Sequence, residues 1–421
     1  MTRVIGRGNV NSQERIVILG NGVAGNTALE AIRKSNPSAQ AVMVSEEPYP
    51  EYSACVLPYY VSGALERKRV FLKSLKDYQG VKARLGERVT GIDLGRSRVL
   101  LEKGNIPYDR LILAAGGEPV MPSIEGIDGE GIYPLKTLRD ADRLVRLRGQ
   151  RVVVIGGGLI GVEAAVAMKK RGHRVSLTSR RWLLPRILDE EAGQRAQKIL
   201  ERNGIEVLTR EAVKEIVLKG RQVRAVHTGK RRIPCDLIVV AIGMKPRADV
   251  AGQAGIEMGP LGGIEVNERM ETSHPGIYAC GDCAEPIDPA TGKSVLHLRW
   301  LNARQMGRVA GLNCAGVKSA YGGTLAGVVL DLFGTPVGSV GELSLDLRGK
   351  RVYVIEKDHS ASYTRVLVSD NAVKGAQFIG RTEEAGILLS LIRNSYPYKD
   401  LFEGLLRFPW YHKLDRYLET T

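Results

Sequence analysis

Cys55 is the residue in this 421-residue chain whose type and setting most directly suggest chemistry. It lies in Glu51-Tyr52-Ser53-Ala54-Cys55-Val56-Leu57-Pro58-Tyr59-Tyr60, read as the start of a helix whose first turn tolerates Pro58. A thiol at a helix N-terminus favours its thiolate, the form that attacks disulfides. The competing reading is a buried, inert cysteine packed as a small hydrophobe. Cys280 and Cys283 form a CxxC around Gly281-Asp282, with no second CxxC to complete a zinc site, and are read as structural. Cys235 and Cys314 read as packing residues. No cysteine follows Cys55 within a few residues, which favours a one-cysteine cycle over a cysteine pair.

Two glycine motifs supply a second kind of chemistry. Gly20-x-Gly22-x-x-Gly25 follows an apolar strand, Ile16 to Leu19, and precedes a helix read as Asn26 to Lys34. Such glycines allow a tight turn, close approach to a pyrophosphate and tight helix–strand packing. The helix N-terminus supplies unpaired N–H groups for the phosphates. A second strand, Ala41 to Val44, ends at Glu46 and Glu47, the right distance away for a ribose-binding acid. Gly156-x-Gly158-x-x-Gly161 repeats the pattern after the strand Arg151 to Ile155, before a helix that carries Glu163. Its second strand, Arg174 to Thr178, ends in Ser179-Arg180-Arg181 instead of an acid, which suits a 2′-phosphate and hence NADPH, with NADH as the alternative. Solvated surface charge is the plainer reading of the two arginines.

These elements need positioning strands, and the sequence offers them. Leu111 to Gly117 reads as a buried strand ending in small residues, and Gly276 to Asp282 as another ending in Gly281-Asp282. Val239 to Gly243 ends a third. A Pro/Gly-rich linker is expected at 118–131 and a second linker at 244–249. Beyond Tyr321-Gly322-Gly323, short strands and a helical stretch near Glu383 to Arg393 follow.

In this order the motifs resemble the pyridine nucleotide-disulfide oxidoreductase superfamily, in particular its single-cysteine branch of coenzyme A disulfide reductases, persulfide reductases and NADH oxidases. The resemblance covers about residues 15 to 390. It implies an α/β chain with two Rossmann-like dinucleotide-binding domains, one for FAD and an inserted one for NAD(P), plus a C-terminal α+β interface domain. The expected boundaries are a leader at 1–14, FAD-binding segments at 15–120 and 245–322, an NAD(P) domain at 121–244, and an interface domain at 323–421 that forms a homodimer. FAD would contact Gly20, Gly22, Gly25, Glu46 or Glu47, Gly116, Gly281 and Asp282. NADPH would contact Gly156, Gly158, Gly161, Glu163, Ser179, Arg180, Arg181 and Gly243. Leu57-Pro58-Tyr59-Tyr60 matches the run that follows the branch's active-site cysteine, while Tyr52 and Val56 replace its usual phenylalanine and glycine.

The resulting expectation is an FAD-dependent NAD(P)H oxidoreductase that reduces a small thiol disulfide or persulfide of coenzyme A type through a mixed disulfide at Cys55. One alternative is an NAD(P)H oxidase using a Cys55 sulfenic acid. Oxidase relatives carry a histidine where Val23 stands in the glycine loop, which disfavours that reading. Another is an electron-transfer flavoprotein for an acidic rubredoxin- or ferredoxin-type partner. A non-enzymatic redox sensor has no positive support.

Composition bounds these readings. The net charge of +15 draws polyanions, but the basic residues are scattered, which disfavours a nucleic-acid partner. Five cysteines argue against a disulfide framework and for the reducing cytoplasm. No metal site is expected. His297 is read as a structural cap of the helix after it. Seven aromatics between 396 and 417 suggest a packed C-terminal tail.

Overall fold

The computed structural model describes residues 14–288, 292–323, 327–347, 353–359 and 362–395. The leader before residue 14 and the aromatic tail lie outside the described residues. The chain divides into two compact units, whose described residues are 14–57, 65–120 and 244–323 in the first and 58–64, 121–243 and 327–395 in the second.

The first unit is built on a parallel five-stranded sheet in the order Ile277–Ala279, Arg110–Leu113, Arg15–Leu19, Gln40–Ser45, Lys82–Leu85. Its central strands are near-continuous apolar runs because both faces are covered, as parallel sheets require. Ile16, Val17, Ile18, Leu111 and Ile112 are completely buried. Helix Val23–Ser35 packs against helix Trp300–Cys314 through small residues. A Cβ at Gly307 or Gly311 would overlap the carbonyls of Ala24 and Ala28, so the two backbones touch only because those positions are glycine. Glu14 already belongs to this fold, accepting a 2.6 Å hydrogen bond from Arg110 Nε. The strands Gly117–Pro119 and Met244–Pro246, where the chain leaves and re-enters the unit, pair antiparallel.

The second unit repeats the plan. Its parallel sheet runs Glu206–Thr209, Arg174–Ser179, Arg151–Ile155, Leu237–Val240, Ile132–Pro134. A second sheet, antiparallel, runs Gly327–Leu332, Thr335–Gly341, Ala372–Ile379, Ser362–Ser369, Tyr353–His359, with helix Ala385–Asn394 against it. A buried knot holds Asp189 to this sheet: Gln377 Nε2 donates to Asp189 Oδ2 at 2.7 Å, Asp189 N donates to Gln377 Oε1 at 2.8 Å, and the Ser344 hydroxyl donates to the carboxylate. Among the described residues, no helix is long and apolar enough to cross a membrane.

Candidate functional site

Both glycine motifs sit at the end of the sheet's central strand, and both helices begin earlier than the sequence suggests. They start at Val23 and Leu159, so Gly25 and Gly161 lie inside the first turns instead of ahead of them. The reason is steric. A Cβ on Gly25 would strike the Gly20 carbonyl, and one on Gly161 the Gly156 carbonyl, so the third glycine is what lets the helix fold back onto its own strand end. Gly20 and Gly156 adopt φ of 119° and 122°, beside the carbonyls of Ala114 and Ala241. Gly22 and Gly158 have open space within 4 Å of where a side chain would start. Neither N-cap glycine offers a side-chain hydrogen bond, which leaves the first-turn N–H groups to a ligand. Two cradles of this kind fit the pyrophosphates of FAD and a nicotinamide dinucleotide.

Around the first cradle, Gly116 has φ of 73°, and Gly117 lies against Asp282, whose Oδ2 would be 3.6 Å from a Cβ there. Gly281-Asp282 forms a 3-10 turn after strand Ile277–Ala279, which brings this carboxylate to the strand ends that also hold Gly20. Glu46 and Glu47 follow the second strand as expected, but protein groups engage both. Arg247 donates to Glu46 Oε2 at 2.6 Å, and the Tyr52 hydroxyl donates to Glu47 Oε2 at 2.7 Å.

Around the second cradle, Ser179 is buried at the end of its strand, and a Cβ on Gly157 would lie 2.5 Å from its Oγ. Arg180 and Arg181 are exposed and make no ion pair among the described residues. Gly243 has φ of 146° with open space before it. Glu163 lies in the first turns of the helix, and burial pushes its carboxyl up to about 7. The Tyr59 hydroxyl is raised too, by burial first and then by the charges of Glu163 and Asp331. Tyr60 donates to Asp142 Oδ1 at 2.9 Å. Sequence spacing gave no hint that Tyr59 shares an electrostatic environment with Glu163.

Cys55 occupies the 3-10 turn Ala54–Val56, which runs directly into the short helix Leu57–Ser62 with Pro58 in its first turn. It is exposed, whereas the other four cysteines are buried. Burial pushes the Cys235 and Cys314 thiols up to about 12 and Cys283 to about 11, and drives Cys280 well above its ordinary range. Cys283 Sγ donates to the carbonyls of Leu113 and Cys280, each at 3.4 Å, so the CxxC is tied into the core. Among the described residues, no group of three His, Cys, Asp or Glu side chains could hold a metal. His297 is not a cap: the helix starts at Trp300 after Arg299, and the imidazole packs edge-on to Tyr321 at 6.3 Å.

Comparison with known proteins places this geometry among its relatives. An NADH oxidase of Methanocaldococcus jannaschii is 33% identical over 81% of this chain and 79% of its own. A CoA-dependent NAD(P)H sulfur oxidoreductase of Pyrococcus abyssi is 31% identical over 79% of this chain and 76% of its own. The chain spans 46% of the Escherichia coli nitrite reductase (NADH) large subunit, at 30% identity over 91% of this chain. Among solved structures, an NAD-dependent persulfide reductase of A. fulgidus superposes with a TM-score of 0.88 at 26% identity, covering 92% of this chain and 78% of that one. Residues 14–307 match the pyridine nucleotide-disulphide oxidoreductase family, and the chain belongs to it.

Proposed function

We propose that this NAD(P)H oxidoreductase binds FAD in the first unit, on Gly20, Gly22, Gly25, Glu46, Gly116, Gly281 and Asp282, and prefers NADPH in the second, on Gly156, Gly158, Gly161, Glu163, Ser179, Arg180, Arg181 and Gly243. Its substrate is a small thiol disulfide or persulfide of coenzyme A type. The observation that carries this reading is the contrast among the cysteines. Four thiols are buried and held protonated, and Cys55 alone is exposed, on a turn leading into a helix.

The Cys55 thiolate attacks one sulfur of the substrate disulfide, forms a mixed disulfide and expels the other half as a thiolate, which takes a proton from solvent. Bound FAD, reduced by NAD(P)H, would supply the two electrons that return this mixed disulfide to the Cys55 thiolate and a second free thiol. Arg180 and Arg181 would hold a 2′-phosphate by charge-assisted hydrogen bonds, while the buried Ser179 closes the strand end beside Gly157. The persulfide reductase and sulfur oxidoreductase relatives support this substrate class. Homodimerisation through the C-terminal residues and a cytoplasmic setting complete the reading.

The test is anaerobic NADPH oxidation with coenzyme A disulfide by wild type and Cys55→Ser. The expected result is turnover that vanishes in the variant while NADPH still bleaches its flavin. No wild-type turnover despite flavin bleaching would overturn the disulfide reading. Oxygen would be the next acceptor to try, because the Methanocaldococcus jannaschii relative is an NADH oxidase.

A further inference from the structure

The first unit holds a polar cluster, buried except at the exposed Glu30 and half-buried Lys73, that the chemistry above does not use. Lys73 Nζ donates to Glu30 Oε1 at 2.7 Å and Asn26 Oδ1 at 3.0 Å, and lies 3.4 Å from Glu51 Oε2. Asn26 Nδ2 in turn donates to the carbonyls of Asn21 and Gly22, at 2.9 and 3.2 Å, inside the first glycine loop. The Tyr78 hydroxyl donates to Asn21 Oδ1 at 2.7 Å and accepts from Glu51 N at 3.0 Å. Asn21 Nδ2 donates to the Tyr49 carbonyl at 2.9 Å. Asn21, Asn26, Glu51 and Tyr78 are buried.

Burying these groups costs free energy unless every partner is in place, and an apolar cluster would stabilise the core more simply. What the polar version adds is a defined geometry between two loops. One end is the turn Gly20-Asn21-Gly22. The other is Glu51–Ser53, which backbone bonds also pin: Leu72 N and Lys73 N donate to the Glu51 carbonyl at 2.9 and 3.2 Å, and Ser53 N to the Val70 carbonyl at 2.9 Å. Ser53 is the N-cap of the turn that carries Cys55.

We propose that Lys73 and Tyr78 are positioning residues that clasp the glycine loop to the Glu51–Ser53 segment and so fix the Cys55 turn relative to the nucleotide cradle. Neither touches the reacting sulfur. The functional part of this inference rests on the role proposed for Cys55.

The test compares FAD-loaded wild type with Lys73→Met, Lys73→Arg and Tyr78→Phe, normalising every rate to bound flavin. NADPH-driven ferricyanide reduction needs both nucleotide sites but not the thiol. In Lys73→Met, kcat with coenzyme A disulfide should fall about tenfold or more, since small misplacements of a reacting group cost that much. The KM for NADPH and the ferricyanide rate should stay within about twofold of wild type, the split expected when only the thiol is misplaced. Lys73→Arg should restore most of the loss. Tyr78→Phe, which removes only a hydroxyl, should show the same split more weakly and covers the case in which Lys73→Met does not fold. Hydrogen exchange at residues 49–57 should quicken in Lys73→Met and Tyr78→Phe. Unchanged exchange and unchanged disulfide turnover in both, or ferricyanide reduction falling in step with disulfide turnover, would overturn the clasp. Wild type without disulfide turnover would sink the Cys55 reading instead, and exchange would still decide whether the clasp exists.

Discussion

The two glycine loops are nearly the same object built twice, and their differences lie just outside the glycines. Gly20 and Gly156 share φ within a few degrees, and each is wedged against the carbonyl of a neighbouring strand. Gly25 and Gly161 meet the first glycine of their own loops in the same way. One and two residues later they diverge: Asn26 is buried and ties its loop to Lys73, whereas Val162 is apolar core and Glu163 follows it. At the ends of the second strands, Glu46-Glu47 faces Ser179-Arg180-Arg181 in the comparison. Backbone sterics thus make the glycine loop common to both, and under the proposed assignment the flanking side chains would set which nucleotide each loop takes.

The largest effect should come from breaking the shared part. Gly20→Ala puts a Cβ into the Ala114 carbonyl at a φ that disfavours it, and Gly156→Ala does the same at Ala241. Each should cost about 3 kcal/mol or more locally. Gly20→Ala should purify without flavin. Gly156→Ala should stay yellow yet lose NADPH-driven bleaching about a hundredfold, as stopped-flow absorbance would report. Loss of flavin from Gly156→Ala would mean the two cradles are not separable.

Glu163 sharpens the asymmetry between the helices. Its carboxyl is raised from 4.5 to about 7 by burial, so the folded state favours the protonated form. The stability gained from that proton is fully present below the unfolded value and is lost as pH rises through about 7, a swing of up to about 3 kcal/mol. Glu163→Gln should flatten urea-unfolding stability between pH 5 and 8, whereas Thr27→Val, the matching position on the first helix, should not.

Next comes the strand end. Arg180→Ala with Arg181→Ala should raise the KM for NADPH roughly tenfold to a hundredfold, the size of charge-assisted hydrogen bonds, and leave NADH within about twofold. Equal changes for both nucleotides, or a wild type that prefers NADH, would remove this contrast. The smallest effects belong to Gly22→Ala and Gly158→Ala. Both residues have extended backbones and open space ahead, so the melting temperature should hold while the matching nucleotide binds a few-fold more weakly.

The parts of this architecture that depend on local pattern were legible in the sequence. Apolar runs ending in glycine gave the strands Arg15–Leu19 and Arg151–Ile155 to within a residue. Sequence pattern places both helix starts three residues late because glycine reads as a breaker, while here the third glycine is a packing requirement inside the helix. The clasp was invisible for a different reason: Tyr78 and Asn21 are 57 positions apart and Lys73 and Asn26 are 47 apart, and no short-range rule joins them. His297 escapes the sequence likewise, since capping rules look along the chain and its ring contact with Tyr321 runs across it.

The glycine-to-alanine seam between helices Val23–Ser35 and Trp300–Cys314 has a consequence for biosynthesis. All five strands of the second unit's parallel sheet come from residues 132–240, so that sheet can assemble as soon as this stretch leaves the ribosome. The first sheet must wait for Ile277–Ala279, and the helix Val23–Ser35 for a partner whose last residue is Cys314. The sheet whose strands are translated first is therefore closed later than the one begun after it, and the nascent chain carries an unfinished apolar sheet through the making of its insert.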